Sequence, residues 1–336
     1  MYSLTRRRFL TLASLGVVNL ALSRRVLANR DDYEDFLPPP SAWGRVISWQ
    51  QAVRAGPSAT ARVQAYVGFD EIIPLYAQVE GTPPWPTNPT WYMTGGGFVH
   101  SGYVQPVETT PNAEIVTEVE PPGFWAEVCL PYVRGRWDPD SPGQTRKLYY
   151  ETVYRVVNAV QDSANTWWYQ LEQGLTYNTP GAFVPASAMR RLTPQDLAPL
   201  APGRDDKWMH LDIATETLIC YEGDQPVFST RTASGVWGMG TPLGEFEILH
   251  KRFGWRMVGD DYDLAGVPFP VYFTRSGVAI HGTYWHNDYG RRHSHGCVNV
   301  ASRAARWVFR WVDPVADYSE GTVRAADGAG TRIVVT

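Results

Sequence analysis

Ile280-His281-Gly282-Thr283-Tyr284-Trp285-His286-Asn287-Asp288-Tyr289-Gly290-Arg291-Arg292-His293-Ser294-His295-Gly296-Cys297-Val298-Asn299 is the stretch that decides this chain. Four of the seven histidines fall within fifteen residues of it, and a cysteine follows two positions later. Residues 293–299, read as extended, alternate their side chains between two faces, which predicts His295, Cys297 and Asn299 on one of them. Gly296 has no side chain, so a reacting group can approach the backbone N–H groups of Gly296 and Cys297 closely. A thiol with a nearby imidazole can form a thiolate, the competent nucleophile. Adjacent N–H groups suit the oxyanion of a tetrahedral intermediate. Nucleophile, candidate base and candidate oxyanion hole thus share one short segment. His281 closes a predicted strand through Val278-Ala279-Ile280, and the loop over 282–292 can fold it back onto Cys297.

Working outward, the pattern is β. Residues 208–220 alternate Met209, Leu211 and Ile213 with His210, Asp212 and Ala214, which predicts one half-buried strand. Tyr221-Glu222-Gly223-Asp224-Gln225 reads as a hairpin turn, with residues 226–232 pairing back. Thr241-Pro242-Leu243-Gly244-Glu245-Phe246-Glu247-Ile248 reads as a turn entering another strand. Ala304, Trp307, Val308 and Trp311 lie at helical spacing and predict a helix over 302–312. Residues 332–336 read as a closing strand. His210 and His250 fall on predicted strands and are read as structural.

His281-Gly282-Thr283, with Cys297 sixteen residues on from His281 inside Ser294-His295-Gly296-Cys297-Val298-Asn299, resembles the signature of the L,D-transpeptidases, the YkuD-like catalytic domain. The resemblance covers roughly residues 208–336 and includes Val267-Pro268-Phe269. It implies a compact β-sandwich with a short helix. It implies Cys297 as the acylated nucleophile and His281 as its base, with the Gly282 backbone fixing the imidazole tautomer. His295 and Asn299 would complete the site by shaping and hydrogen bonding, and the Gly296 and Cys297 N–H groups would form the oxyanion hole. Ser294 and Tyr272 fall on the substrate side. The loop over 284–292 departs from the family's pattern; its Tyr284, Trp285 and Tyr289 either line the substrate cleft or pack the loop.

The chemistry so implied needs no metal and no organic cofactor. Cys297 attacks the carbonyl of the dibasic third residue of a peptidoglycan tetrapeptide stem, and the terminal D-alanine leaves. The side-chain amine of a second stem then takes the acyl group, giving a crosslink. Water in its place makes the site an L,D-carboxypeptidase, and a protein amine makes it an anchoring enzyme. The expected partners are peptidoglycan stem peptides and wall-bound acceptor amines. Two rivals share the residues. His286, His293, His295 and Cys297 have the chemistry of zinc ligands, but their spacing lacks a recognised zinc pattern. A papain-like peptidase would need a local signature around the cysteine that is absent. A wall-binding adaptor with an idle catalytic domain is the non-enzymatic alternative.

The preceding half of the chain shows little helical periodicity. Short β-branched and aromatic runs alternate with Gly/Pro turns, an all-β signal. Residues 62–66 and 72–79 read as strands, and 149–160 as one long β-rich run. Gly81-Thr82-Pro83-Pro84-Trp85-Pro86 cannot be a central strand, since proline lacks the ladder donor. Thr90-Trp91-Tyr92 and Gly97-Phe98-Val99-His100-Ser101 are echoed by Thr166-Trp167-Trp168-Tyr169 and Gly181-Ala182-Phe183-Val184-Pro185-Ala186-Ser187. With Val53-Arg54-Ala55-Gly56-Pro57-Ser58, these resemble a tandem pair of bacterial SH3-like modules, over 45–110 and 111–193. Such modules imply wall-peptide binding or placement of an enzyme; as plain spacers, they would use their tryptophans only as core. His100 reads as an exposed turn residue, and Cys129 as a small buried hydrophobe. Residues 29–44 and 194–207 are proline-rich and read as linkers.

Residues 1–28 carry five arginines and no acid, then a moderately apolar run, then Val26-Leu27-Ala28. Thr5-Arg6-Arg7-Arg8-Phe9-Leu10 resembles a twin-arginine export signal, which implies an exported protein of the cell wall, periplasm or extracellular space. Loss of that segment takes the formal charge from −4 to about −9. An acidic chain argues against phosphate-neutralising nucleic-acid binding. No apolar run reaches the roughly 20 residues of a membrane span, so none is expected beyond the signal segment. Three cysteines are too few for a disulfide scaffold, and Cys129 and Cys220 are read as inert thiols.

Overall fold

Strand-forming residues in the first third build two small antiparallel sheets. The computed structural model describes residues 39–172, 181–236 and 238–336, so the segment read as an export signal and nearly all of the first proline-rich segment lie outside the described residues. The chain divides after Pro40, and Ser41–Thr336 forms one compact unit. In the first sheet, Ala42–Val46 lies between Ile72–Leu75 and Val104–Val107. The second runs in the order Val63–Gly68, Gln50–Arg54, Gly97–His100, Thr90–Thr94, Ala77–Glu80. Their shared core is Val46, Val53, Val67, Ile73, Leu75, Val99 and Val104.

The strand expected over 72–79 is two strands. Ile72–Leu75 pairs with Ala42–Val46, whereas Ala77–Glu80 pairs with Thr90–Thr94, so the chain changes sheets at Tyr76. Pro74 is tolerated because its strand is at a sheet edge. His100 is buried rather than exposed: its Nε2 lies 2.9 Å from the Asn88 carbonyl, and Trp85 and Trp91 present their rings to it edge-on. That aromatic box comes from residues ten or so positions away, which a local reading does not assemble.

The middle of the chain forms one seven-stranded sheet. Its order is Gln144–Tyr149, Tyr132–Arg136, Phe183–Pro185, Trp167–Leu171, Val153–Gln161, Phe124–Val128, Met189–Arg191. The long run expected over 149–160 is broken at Glu151, whose φ of 63° is left-handed. Every residue of Phe124–Val128 is buried, so both faces of that strand are covered. The cover comes partly from the last third. Trp125 stacks on Phe253 at 4.8 Å, and its Nε1 donates to the Tyr318 carbonyl at 3.0 Å. A single hydrophobic core runs from this sheet through the last third. The second proline-rich segment is likewise pinned rather than free. Leu197 is buried, the Leu200 N–H donates to the Arg310 carbonyl, and buried Lys207 donates to the Trp311 carbonyl and pairs with Asp313.

The last third stacks two five-stranded sheets, a hairpin and a helix. One sheet runs Gln225–Arg231, Thr217–Glu222, Lys207–Asp212, Arg332–Val335, Gly244–Glu247. The other runs Val298–Val300, Ala279–Gly282, Val271–Tyr272, His250–Arg252, Thr322–Arg324. The strand expected over 208–220 is interrupted at 213–216, because Asp212 Oδ1 accepts from the Ala214 and Thr215 N–H groups and draws the chain into a turn. The helix Ser302–Trp311 turns Ala304, Ala305, Val308, Phe309 and Trp311 inward. Its first residue lies so close to Gly282 that a Cβ there would meet the Ser302 Cα at 2.8 Å and the Pro268 Cγ at 2.6 Å. Among the described residues no helix is long and apolar enough to cross a membrane.

Candidate active site

Two parallel strands carry the site. Ala279–Gly282 pairs with Val298–Val300 in the register Ile280 to Val298, His281 to Asn299, Gly282 to Val300. Cys297 directly precedes the second strand, so it lies level with Ala279, whose backbone hydrogen-bonds the sulfur. The thiol also points to the Gly277 carbonyl, 3.9 Å from Sγ. His281, buried in the adjacent strand, places Nδ1 2.9 Å from the Gly282 carbonyl. A carbonyl only accepts, so Nδ1 carries the proton and Nε2 is left as the basic nitrogen.

Burial sets the charge states. Desolvation pushes the His281 imidazole down to about 4, opposed by the Gly282 carbonyl. Desolvation pushes the Cys297 thiol up, opposed by the Ala279 N–H. The resting pair at neutral pH is therefore a neutral thiol and a neutral imidazole.

The run expected to be extended over 293–299 is not. Gly296 adopts φ of 119°, and regular strand begins only at Val298. His295, Cys297 and Asn299 therefore do not share a face. His295 is exposed, Cys297 is partly exposed and Asn299 is buried. Ser294 holds this turn: its Oγ accepts from the Gly296 N–H at 3.1 Å and donates to the Cys297 carbonyl. Ser294 is buried and engaged with backbone, not with a substrate surface, and the Gly296 N–H expected for the oxyanion hole is already taken. Thr241 braces the same turn, donating to the Gly296 carbonyl at 2.8 Å while accepting from the Gly235 N–H. Backbone bonds from 232–236 to 290–299 complete the lacing, including both directions between Ala233 and Asn299. The buried Glu216 carboxylate fixes that lacing segment, accepting from the Thr232 hydroxyl, the Ser234 N–H and the Ser234 hydroxyl.

Behind His281, the Asn299 carboxamide lies 2.8 Å from His286 Nε2. His286 Nδ1 accepts from the Asp288 N–H, and burial keeps the ring neutral, so Nε2 bears the proton. The Asn299 oxygen is thus the partner, an orientation that also satisfies its otherwise orphaned buried oxygen. His286 stacks on His293 at 4.1 Å. The proposed zinc set does not converge: among the described residues no three His, Cys, Asp or Glu side chains gather as a metal site. All three cysteines are unpaired, and Cys129 and Cys220 are buried.

The mouth of the site is aromatic. Tyr272 lies close enough to Cys297 for the sulfur to act on its hydroxyl, and stacks on His250 at 4.2 Å. Tyr262, at the tip of the hairpin Gly254–Val258 and Asp263–Pro268, lies close enough to Cys297 for an ionised sulfur to push its hydroxyl up; its ring is 5.2 Å from His295. His295 Nε2 lies 3.1 Å from Asp261 Oδ2 in the same hairpin tip. Trp285 is half-buried, 5.8 Å from His281 ring to ring. Tyr284 does not line the cleft: it is buried against Tyr149, and its carbonyl accepts from buried Arg45. Tyr289 donates to, or accepts from, the Thr283 hydroxyl at 2.7 Å and packs the loop.

The loop over 284–291 is also held from the first third. Asn287 donates to the Ser101 and Val104 carbonyls, and the Arg45 guanidinium pairs with Asp70 and Gln105. Glu216, Asp261, Tyr262 and Arg45 have no legible signal in sequence, and Thr241 is legible only as part of a turn. Each is an ordinary polar or aromatic residue that reaches the site through tertiary contacts of its side chain.

Residues 206–335 match the YkuD family model, described as the L,D-transpeptidase catalytic domain. No curated protein matches the sequence. Among solved structures, a variant L,D-transpeptidase of Enterococcus faecium is 20% identical, over 44% of this chain and 55% of that one, with a TM-score of 0.32. An L,D-transpeptidase from Mycobacterium smegmatis is 15% identical, over 53% and 98%, with a TM-score of 0.33. One from Mycobacterium tuberculosis H37Rv is 15% identical, over 51% and 90%, with a TM-score of 0.32. The chain spans about half the length of the Enterococcus faecium chain. The stretch that matches the L,D-transpeptidase catalytic domain is the stretch that holds Cys297, His281 and the turn around Gly296.

Proposed function

We propose that residues 206–335 act as a cysteine acyltransferase of the L,D-transpeptidase type on peptidoglycan stem peptides. The observation that carries this reading is a partly exposed thiol at the head of one strand and, on the parallel strand paired with it, a buried imidazole whose Nδ1 is held by the Gly282 carbonyl. Cys297 Sγ attacks the carbonyl of the dibasic third residue, and its proton passes to His281 Nε2. The Cys297 N–H is the candidate oxyanion donor, since Ser294 Oγ holds that of Gly296. His281 returns the proton to the departing D-alanine amine, leaving a thioester on Cys297. An acceptor amine then forms the crosslink, and water gives hydrolysis at the same thioester. In this reading the segment 1–28 exports the chain, and SH3-like modules over 45–110 and 111–193 seat it in the wall.

The test is intact mass spectrometry of the chain lacking residues 1–28, incubated with a carbapenem and, separately, with a tetrapeptide stem. A Cys297→Ala control accompanies it. An adduct on the parent chain alone, with release of D-alanine from the stem, is the expected result. No adduct from either reagent would sink the enzymatic reading.

A further inference from the structure

Acyl transfer to an amine needs two proton acceptors, not one. A primary aliphatic amine has a pKa of about 10, so it arrives as an ammonium ion at neutral pH. It must lose one proton before it can attack the thioester and a second as the amide forms. The thiolate that leaves takes back only one. In balance, an ammonium ion and the Cys297 thioester give an amide, the Cys297 thiol and one released proton. Water as acceptor makes no such demand, because it attacks as a neutral molecule and hands a single proton to the base that serves the sulfur.

The site holds two imidazoles of opposite character, one on the strand paired with the one Cys297 leads into and one two residues before Cys297. His281 is buried and bonded to the Gly282 carbonyl, out of contact with solvent. His295 is exposed and bonded through Nε2 to the Asp261 carboxylate at 3.1 Å. A carboxylate only accepts, so Nε2 carries the proton and Nδ1 is the basic nitrogen. Tyr262 joins this pair to the thiol: its ring lies 5.2 Å from His295, and its hydroxyl feels Cys297, Asp261 and Asp260. Asp261 is itself exposed, so a cation arriving from solvent meets the carboxylate first.

Resting on the transpeptidase reading, we propose that His295, oriented by Asp261, is the base that takes the first proton from the incoming acceptor ammonium. His295 Nδ1 accepts that proton and releases it to solvent. The freed amine adds to the thioester carbonyl, its nitrogen forming the new C–N bond. The second proton passes through His281 to Cys297 Sγ as the C–S bond breaks. Asp261 stabilises the transient imidazolium, as a carboxylate does for any histidine that must charge during a step. His295 and Asp261 thus set the choice between crosslinking and hydrolysis, while His281 serves both.

The experiment measures that choice on a shared thioester. The chain lacking residues 1–28, with Asp261→Asn and His295→Gln variants, is given tetrapeptide stem, and crosslinked dimer and hydrolysed tripeptide are counted by mass spectrometry. The ratio of dimer to tripeptide does not depend on how fast the thioester forms, so a general loss of structure would not move it. The ratio is expected to fall on the order of 100-fold in His295→Gln and by less in Asp261→Asn. Hydroxylamine, already neutral at pH 7, needs no first base, so with it as acceptor the variants should recover the parent ratio. An unchanged stem ratio in both variants, or a deficit that persists with hydroxylamine, would overturn the assignment. A parent chain that releases no D-alanine would overturn the transpeptidase reading and this assignment together; release with an unchanged ratio overturns only the second.

Discussion

The neutral resting state of Cys297 and His281 can be measured directly by alkylation. Iodoacetamide reacts with the thiolate, so its rate against pH reports the ionised fraction. An ordinary thiol with a pKa of about 8.5 is about 3 % ionised at pH 7. Cys297 lies on the weaker-acid side of that value because burial outweighs the single Ala279 N–H that favours the charged form. His281, pushed down to about 4, is uncharged above pH 5 and supplies no compensating cation. The alkylation rate should therefore climb between pH 7 and 10 by more than about 30-fold, with no plateau near neutrality. The assay is the rate of mass gain on intact protein across that range, with Cys297→Ala as the blank. An ion pair would instead give a plateau from about pH 5 to 8, as in paired cysteines of depressed pKa. A plateau there would refute the electrostatic argument, and with it the role of His281 as a base that acts during attack.

Three further outcomes follow from the packing. His281 binds no proton in the folded chain until about pH 4, whereas the unfolded chain protonates it near pH 6.5, so stability is lost as pH falls through that window. The loss is about 2–3 kcal/mol at pH 4.5, and urea titrations at pH 7 and 4.5 should show a pH slope smaller by that amount in His281→Gln. Glu216→Ala removes three hydrogen bonds to a buried carboxylate and should lower stability by about 3 kcal/mol while slowing acylation, since the 232–236 segment braces the nucleophile turn; equal acylation rates would contradict that bracing. Gly282→Ala drives a Cβ into Ser302 and Pro268, and a thermal shift smaller than that expected for about 1–3 kcal/mol of overpacking would show the helix start to be more yielding than its contacts imply.

The candidate chemistry was legible in the sequence, because reactivity is a property of side-chain type and of close neighbours along the chain. Cys297, His281 and Gly282 sit in contiguous motifs, and the strand ending at His281 follows from Ala279 and Ile280. The helix over 302–312 and the closing strand were legible for the same reason: their periodicity is local. Local pattern misled where one residue changed the backbone direction. Gly296 at φ of 119° turns a run that alternation alone would keep straight, and so separates His295 from Asn299. Asp212 breaks one predicted strand by capturing two N–H groups, and Glu151 breaks another through its left-handed backbone.

What the sequence by itself determined is which cysteine and histidine stand as candidate nucleophile and base, and the β character of the chain. What only the tertiary structure decided is the company they keep. Burial, which no single segment controls, sets the charge of His281 and Cys297. Side-chain hydrogen bonds bring Glu216 and Thr241 to the segments around Cys297, and a hairpin tip 34 residues earlier brings Asp261 and Tyr262 to His295. Arg45, some 240 residues from Tyr284 along the chain, reaches its carbonyl only because the first third packs against the loop. Such contacts depend on how surfaces meet in three dimensions, and the order of residues along one strand does not contain that information.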